Sequence, residues 1–321
     1  MILTSKSNFM ASILVTGGAG FIGANLTARL LKLKHKVAVI DNLSTGFRHN
    51  LPLQNKNLAF YEKNINENLK PIFAKHRFDY IFHLAGQIDV RKAVSDPRAD
   101  AEINILGIIN LLQEARTTKI KKFIYASSGG AVYGEPEKMP VPENAPIRPL
   151  SPYGVSKYAA EKYLETFGRL YRLPYAILRY ANVYGPGQNS HGEAGVVAIF
   201  INHLLKKERP SLFAFGKNKR DYIFVDDVAE ANLKAMAGRE NAVYNIGTGK
   251  TTPTEELFQI ISQELKSKIK PRLEPARPGE VEAISLDARL AAAELSWQAR
   301  VSLPAGIRQT IQWFLENRKS I

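Results

Sequence analysis

The sequence contains no cysteine. That excludes disulfide staples and thiolate-held metals such as structural zinc, so no metal site is expected and a reducing compartment fits. It also lacks any apolar run near the roughly 20 residues that span a bilayer, which argues against a membrane partner. The first ten residues, MILTSKSNFM, are too short and polar for a secretory signal, and a cytoplasmic location is expected. MASILVTGG would make a complete start at Met10, leaving residues 1 to 9 as an extension without function.

Negative charge is in short supply, with 30 Asp+Glu against 44 Lys+Arg and a formal net charge of +14. Such an excess raises nucleic acid as a partner and equally suits an enzyme with polyanionic ligands. The distribution speaks against nucleic acid. Basic residues fall in short groups, KLKHK (32 to 36), KIKK (119 to 122) and KSKIK (266 to 270), near expected helix ends and without interleaved aromatics. Cations are favourable at helix C-termini in any case.

What is present is a large hydrophobic complement, 45% of 321 residues, enough for one big or two modest domains. Strand-length apolar runs alternate with segments of helical period. SILVTG (12 to 17), KVAVID (36 to 41), LAFYE (58 to 62), YIFHLA (80 to 85), KFIYAS (122 to 127) and YAILRY (175 to 180) read as strands. Helices are expected near 20 to 34, 98 to 118 and 152 to 171. This alternation specifies a doubly wound α/β fold, a parallel sheet with helices on both faces. Beyond residue 180 the rhythm loosens into Gly/Pro punctuation, with helices near 195 to 207, 226 to 238, 254 to 268 and 304 to 317. A smaller C-terminal α/β lobe is expected there.

LVTGGAGFIGANL sets Gly17, Gly20 and Gly23 between the first strand and the first helix. Glycines there allow a tight turn and bring backbone N–H groups and a helix N-terminus, with Phe21 and Ile22, against a pyrophosphate. The second strand ends in Asp41, where a carboxylate can accept from adenosine ribose hydroxyls and would repel a 2′-phosphate, favouring NAD over NADP. Asp41 can also be a plain turn residue of DNLSTG. Further on, SPYGVSKYAAEK sets Tyr153 and Lys157 four positions apart, on one face of a helix. A free tyrosine ionises near ~10, too high for a base at neutral pH, and a neighbouring ammonium lowers that.

TGGAGFIG, DNLSTG, HLAGQ, SSGGAVYG (127 to 134), Tyr153 with Lys157, RYANVYGPGQ (179 to 188), RDYIFVDDVAEAN (220 to 232) and YNIGTG (244 to 249) together resemble the extended short-chain dehydrogenases/reductases. Within them the chain is similar to the NAD-dependent epimerase/dehydratase family, and most to its UDP-glucose 4-epimerase group, from about residue 12 to the C-terminal helix. The resemblance implies a Rossmann domain over 10 to 180, with 221 to 247 returning to it, and a nucleotide-sugar lobe from 181 to 220 and 248 to 321. It implies NAD as cofactor, a UDP-sugar as substrate, no nucleic acid, and a homodimer built on the helices near 98 to 118 and 152 to 171.

By the same resemblance Tyr153 takes the proton of the sugar 4-hydroxyl and Lys157 holds the cofactor ribose. The family's usual hydroxyl residue falls on Gly129. Ser128 is the provisional replacement, with a water as the alternative, and Ser127 and Ser128 can equally satisfy backbone groups at a strand end. Cofactor contacts are implied for Gly17, Gly20, Phe21, Ile22, Gly23, Asp41, Asn42, Ser44, Thr45, Gly46, Asn64, Ile65, Leu84, Ala85, Gly86, Gln87, Asn104, Ser127, Tyr153, Lys157 and Tyr180. The nucleotide sugar is implied at Gln87, Ser128, Tyr153, Asn182, Val196, Phe213, Phe215, Arg220, Arg277 and Glu280. Ile284 falls where residue size bears on sugar choice. Related dehydratases and decarboxylases carry acids where this chain has Gly129 and Gly130, so simple epimerisation survives best. A 4,6-dehydratase, uronate decarboxylase or 4-ketoreductase is the runner-up, and an NAD-sensing regulator without catalysis is a further class.

Overall fold

The computed structural model describes residues 10–189, 195–277 and 281–317. Seven strands form one parallel sheet: β1 (Ser12–Thr16), β2 (Lys36–Asp41), β3 (Leu58–Glu62), β4 (Tyr80–His83), β5 (Lys122–Ser128), β6 (Tyr175–Tyr180) and β7 (Ala242–Ile246). Their spatial order is β7-β6-β5-β4-β1-β2-β3, with every neighbouring pair parallel. The chain therefore reverses its direction of travel between β1 and β4, the switch point where such sheets open a crevice.

Both faces are covered, and the sequence says why. Along β1 and β2, Ile13, Val15, Val37 and Val39 face one core, while Leu14, Ala38 and Ile40 face the other. The first core includes Leu26, Leu30 and Leu31 of helix α1 (Phe21–Lys32) and Val228, Ala231 and Ala235 of helix Val225–Ala237. Ala291, Leu295 and Trp297 pack into that same core. The second takes Ile108, Leu111 and Leu112 of helix Gly107–Ala115 and Ala160 and Leu164 of helix Pro152–Tyr171. Continuous apolar runs are what strands buried on both faces require.

A third core joins helices Val196–Leu205, Thr254–Glu264 and Leu303–Glu316 through Phe200, Phe258 and Phe314. The long elements lie within a few residues of their expected spans. The expected helix near 98 to 118 differs: it is Pro97–Ala101, a π-helical stretch Glu102–Leu106, and Gly107–Ala115. Short helices Lys70–Lys75, Val90–Ser95 and Arg289–Leu295 carry too few turns to stand out by period.

Candidate active site

The glycine turn follows β1 directly. Gly17 has φ +70, and a Cβ on it would lie 2.6 Å from the Ala85 nitrogen, so both conformation and space demand glycine. A Cβ on Gly23 would come within 2.0 Å of the Gly17 carbonyl oxygen, which lets α1 start hard against the turn. Gly20 caps α1 in extended conformation without a side-chain hydrogen bond, leaving first-turn N–H groups of Phe21, Ile22 and Gly23 for a ligand. This is a cradle that fits a diphosphate.

Asp41 is buried at the end of β2 and does two things. Its Oδ2 accepts from Ala19 N at 2.9 Å, tying it to the glycine turn, and Oδ1 accepts from Leu43 N at 2.8 Å, closing its own turn. Asp41 is thus a turn residue of DNLSTG, and each of its oxygens keeps a lone pair that a ribose could use. Asn42, Ser44 and Thr45 are exposed beside it, while Gly46 is buried against Ala19. Asn64 accepts from Asn66 N at 3.0 Å, and Ile65 packs against Gly107.

Leu84, Ala85 and Gly86 leave the end of β4 half-buried, but Gln87 differs from expectation. Its side-chain amide donates to Asp89 O at 2.9 Å and to Asp100 Oδ1 at 2.8 Å, and its Oε1 accepts from Asp89 N. The side chain is committed to the fold, leaving backbone for a ligand. Asn104 supports this strand end as expected, accepting from Gln87 N at 3.0 Å and donating to Gln87 O at 2.9 Å. It sits in the π-helical stretch, a deviation frequent at functional sites. The Tyr180 hydroxyl donates to Asn232 Oδ1 at 3.0 Å within the first core, which leaves its ring for a ligand.

Tyr153 and Lys157 lie in the first turns of helix Pro152–Tyr171, whose N-cap Ser151 accepts from Gly154 N at 3.2 Å and whose N1 residue is proline. Gly154 lets this helix touch the Ala131 carbonyl, where a Cβ would stand at 2.5 Å. Tyr153 and Lys157 are both buried. Burial pushes the Tyr153 hydroxyl up to about 12; a hydrogen bond with Ser128 opposes the rise and Asp100 adds to it. Burial pulls the Lys157 ammonium down to about 8, against the carboxylates of Glu161 and Asp100. Lys157 Nζ donates to Ala126 O at 2.6 Å and lies 4.6 Å over the Tyr125 ring. Among the chain's own groups, burial therefore dominates at Tyr153, and added positive charge is needed to favour a phenolate.

The two serines separate. Ser127 Oγ donates to Glu161 Oε1 at 2.5 Å and serves the fold, whereas Ser128 is the one whose side chain favours ionisation of Tyr153. Gly129 has a packing reason: a Cβ there would lie 2.6 Å from Leu286 Cδ1. Gly130 is open, with only Asn182 Oδ1 at 3.9 Å from such a carbon. Beneath the serines, Glu161 pairs with Arg179 at 2.6 Å, both buried, and Arg179 also donates to the Tyr133 hydroxyl at 2.8 Å. Glu161, one turn after Lys157, was legible as a YxxxKxxxE spacing and was not drawn from the sequence; neither was His83, which shares a 2.7 Å hydrogen bond with Thr16 and which burial holds neutral, down to about 3.

The remaining expected residues follow β6 in the sequence. Val196 opens helix Val196–Leu205. Phe213 is partly buried under the Arg277 guanidinium, 3.4 Å from its ring centre, and Phe215 is exposed. Arg220 donates to the carbonyls of Lys219 and Glu282. Glu280 lies outside the described residues. Ile284 packs with Val132, Tyr133, Val141 and Leu286 in a small buried cluster. Asp221 accepts from Thr248 N, Gly249 N and Leu286 N, so the RD and IGTG segments meet at one buried carboxylate.

The sequence profile of the NAD dependent epimerase/dehydratase family matches residues 13–247. The chain belongs to this family. Among family structures, a UDP-glucose 4-epimerase of Thermotoga maritima solved with UDP-glucose is 45% identical, with 96% of this chain and 99% of that chain covered and a TM-score of 0.93. The UDP-glucose 4-epimerase of Thermus thermophilus, solved with NAD, is 40% identical over 95% and 99%, at 0.89. A UDP-N-acetylglucosamine 4-epimerase of Methanobrevibacter ruminantium, in complex with UDP-N-acetylmuramic acid, is 34% identical over 96% and 99%, at 0.91.

Proposed function

We propose that this protein is an NAD-dependent UDP-sugar 4-epimerase, an isomerase. The observation that carries this reading is the set of half-buried Ser128 with buried Tyr153 and Lys157 beside the carboxyl ends of β1, β4 and β5, next to a glycine turn that admits no Cβ. A bound nicotinamide would supply the hydride acceptor at C4 in its oxidised form and the hydride donor in its reduced form. Tyr153 Oη takes the proton of the 4-hydroxyl and returns it after the 4-keto sugar has turned over in the site. Ser128 holds that same hydroxyl in line. Lys157 binds the cofactor ribose, and the positive charge of the oxidised ring would bring Tyr153 down from about 12 toward neutrality.

Around this centre, Asp41 takes the adenosine ribose, the first turn of α1 takes the diphosphate, and Arg220 and Arg277 take the diphosphate of the nucleotide sugar through their fixed donor forks. Phe213 and Phe215 flank its base and Asn182 faces the sugar beside Gly130. Residues 10 to 180 with 221 to 247 form the dinucleotide domain; the sugar lobe comes from 181 to 220 and 248 to 321, apart from the stretch at 289 to 297 that joins the first core. A homodimer is favoured by exposed Leu106, Val155, Tyr163 and Leu170 on two adjacent helical segments. The absence of cysteine supports a cytoplasmic setting.

Gly129 and Gly130 disfavour a dehydratase or decarboxylase, because neither supplies an acid beside the sugar. The test is proton NMR of the protein with UDP-glucose, UDP-N-acetylglucosamine and UDP-glucuronate in separate tubes. Inversion at C4 without loss of mass in one tube supports the reading and names the sugar. Loss of water or CO₂, or consumption of added NAD(P)H, would replace it with a dehydratase, decarboxylase or ketoreductase.

A further inference from the structure

We propose that Tyr125 is a positioning residue for Lys157: its ring face receives the ammonium and holds it, charged, at the end of β5 for the cofactor ribose. The inference rests on the reading of Lys157 as the ribose-binding lysine.

Tyr125 and Ala126 are consecutive residues of β5, and both meet the head of the same side chain. Ala126 O accepts from Lys157 Nζ at 2.6 Å, and the centre of the Tyr125 ring lies 4.6 Å from that nitrogen. An ammonium has three donors, of which the carbonyl takes one. The ring face, negative through its quadrupole, attracts the cation as a whole. Lys157 is 6% exposed and Tyr125 1%. Burial favours loss of the ammonium proton, and the same desolvation is the condition in which a cation over a ring gains most. The two contacts from β5 therefore work against the tendency of a buried lysine to discharge.

The ring is itself held by the sheet. The parallel register sets Thr16 of β1 beside His83 of β4, and His83 beside Tyr125. Thr16 and His83 share a 2.7 Å hydrogen bond, and the His83 ring stacks on that of Tyr125 with centres 5.6 Å apart and planes at 25°. A row across three strands thus runs from the strand that carries the glycine turn to Lys157. Burial keeps both rings uncharged, lowering His83 to about 3 and pushing the Tyr125 hydroxyl well above its ordinary value. The carboxylates whose charge reaches Lys157 are engaged elsewhere. Glu161, one turn on in the same helix, pairs with Arg179 at 2.6 Å, and Asp100 accepts from the side-chain amides of Gln87 and Asn104. Tyr153, one turn before Lys157, is held neutral by burial.

Packing and ring charge separate in a series at one position: Tyr125→Phe, then phenylalanines carrying one, two and three ring fluorines in its place. Fluorine drains negative charge from the ring face and hardly alters its size. In the full chain saturated with NAD, the ε-carbon resonance of Lys157, assigned with Lys157→Arg, is titrated by ¹³C NMR, and NAD affinity is measured by calorimetry. Tyr125→Phe should keep the Lys157 titration at the wild-type pH. The fluorinated rings should lower it stepwise, by about one pH unit at three fluorines, a tenfold change in the protonation equilibrium, and should weaken NAD in the same order. If Tyr125→Phe does not fold, fluorinated tyrosines at the same position carry the same expectation. A Lys157 titration and an NAD affinity that ignore the number of fluorines would make Tyr125 a packing residue only and overturn the proposal. Wild-type protein without C4 inversion would overturn the epimerase reading, and the Lys157 titration would still decide the role of Tyr125.

Discussion

Two adjacent serines end β5, and only their partners distinguish them. Ser127 Oγ is donated to Glu161, so Ser127→Ala should cost stability, about 1–3 kcal/mol in urea unfolding, with little change in kcat once folded. The Ser128 side chain favours ionisation of Tyr153, so Ser128→Ala should lower kcat by at least tenfold with a near-normal unfolding midpoint. The reverse pattern would exchange their roles. His83 adds a pH dependence at this scale. Its folded value, near about 3, lies below the unfolded 6.5, so an unfolded chain binds the proton first as pH falls. The stability it confers is complete above pH 6.5 and drains away between 6.5 and 3, at up to about 1.4 kcal/mol per pH unit. Urea unfolding from pH 7 to 4 should therefore fall more steeply for wild type than for His83→Asn; parallel curves would contradict this.

Helix Pro152–Tyr171 carries catalytic and structural residues on neighbouring turns. Glu161 and Arg179 form a pair buried between this helix and β6. Glu161→Gln leaves a guanidinium without its counter-ion and should lower stability by roughly 3–5 kcal/mol, read as a drop in the thermal midpoint with NAD bound. A change under 1 kcal/mol would mean the pair is solvated. Elements of this length were legible because burial on two faces writes continuous apolar runs and helices keep their own period. The π-helical stretch at Glu102–Leu106 was not, since its sequence has ordinary helical period and the deviation arises where Asn104 reaches back to Gln87. The same applies to Gln87 and Tyr180. Position in a motif brought them to the strand ends, but spacing alone did not show that Asp89 and Asp100 claim the polar atoms of Gln87, or that Asn232, 52 residues on, claims the hydroxyl of Tyr180. Leu286 behind Gly129 was likewise invisible, because nothing local ties residue 286 to residue 129.

At the scale of the whole molecule, the sheet brings the glycine turn, the π-helical stretch and the Tyr153 helix to the carboxyl ends of its strands. If two copies pair through the exposed residues Leu106, Val155, Tyr163 and Leu170, light scattering should give twice the chain mass, and Leu170→Arg should halve it with activity altered less than mass. A wild-type monomer would remove the dimer from the account. The +14 charge fits polyanionic ligands bound in the cleft, and no steep salt-dependent binding to DNA is expected. The most direct test of the central claim is proton NMR of wild type and Tyr153→Phe with the UDP-sugar that wild type inverts, no cofactor added. The account predicts C4 inversion by wild type, and a loss of roughly 10²–10⁴-fold in Tyr153→Phe with bound NAD retained. Inversion at an undiminished rate by Tyr153→Phe would show that Tyr153 is not the base and contradict the mechanism.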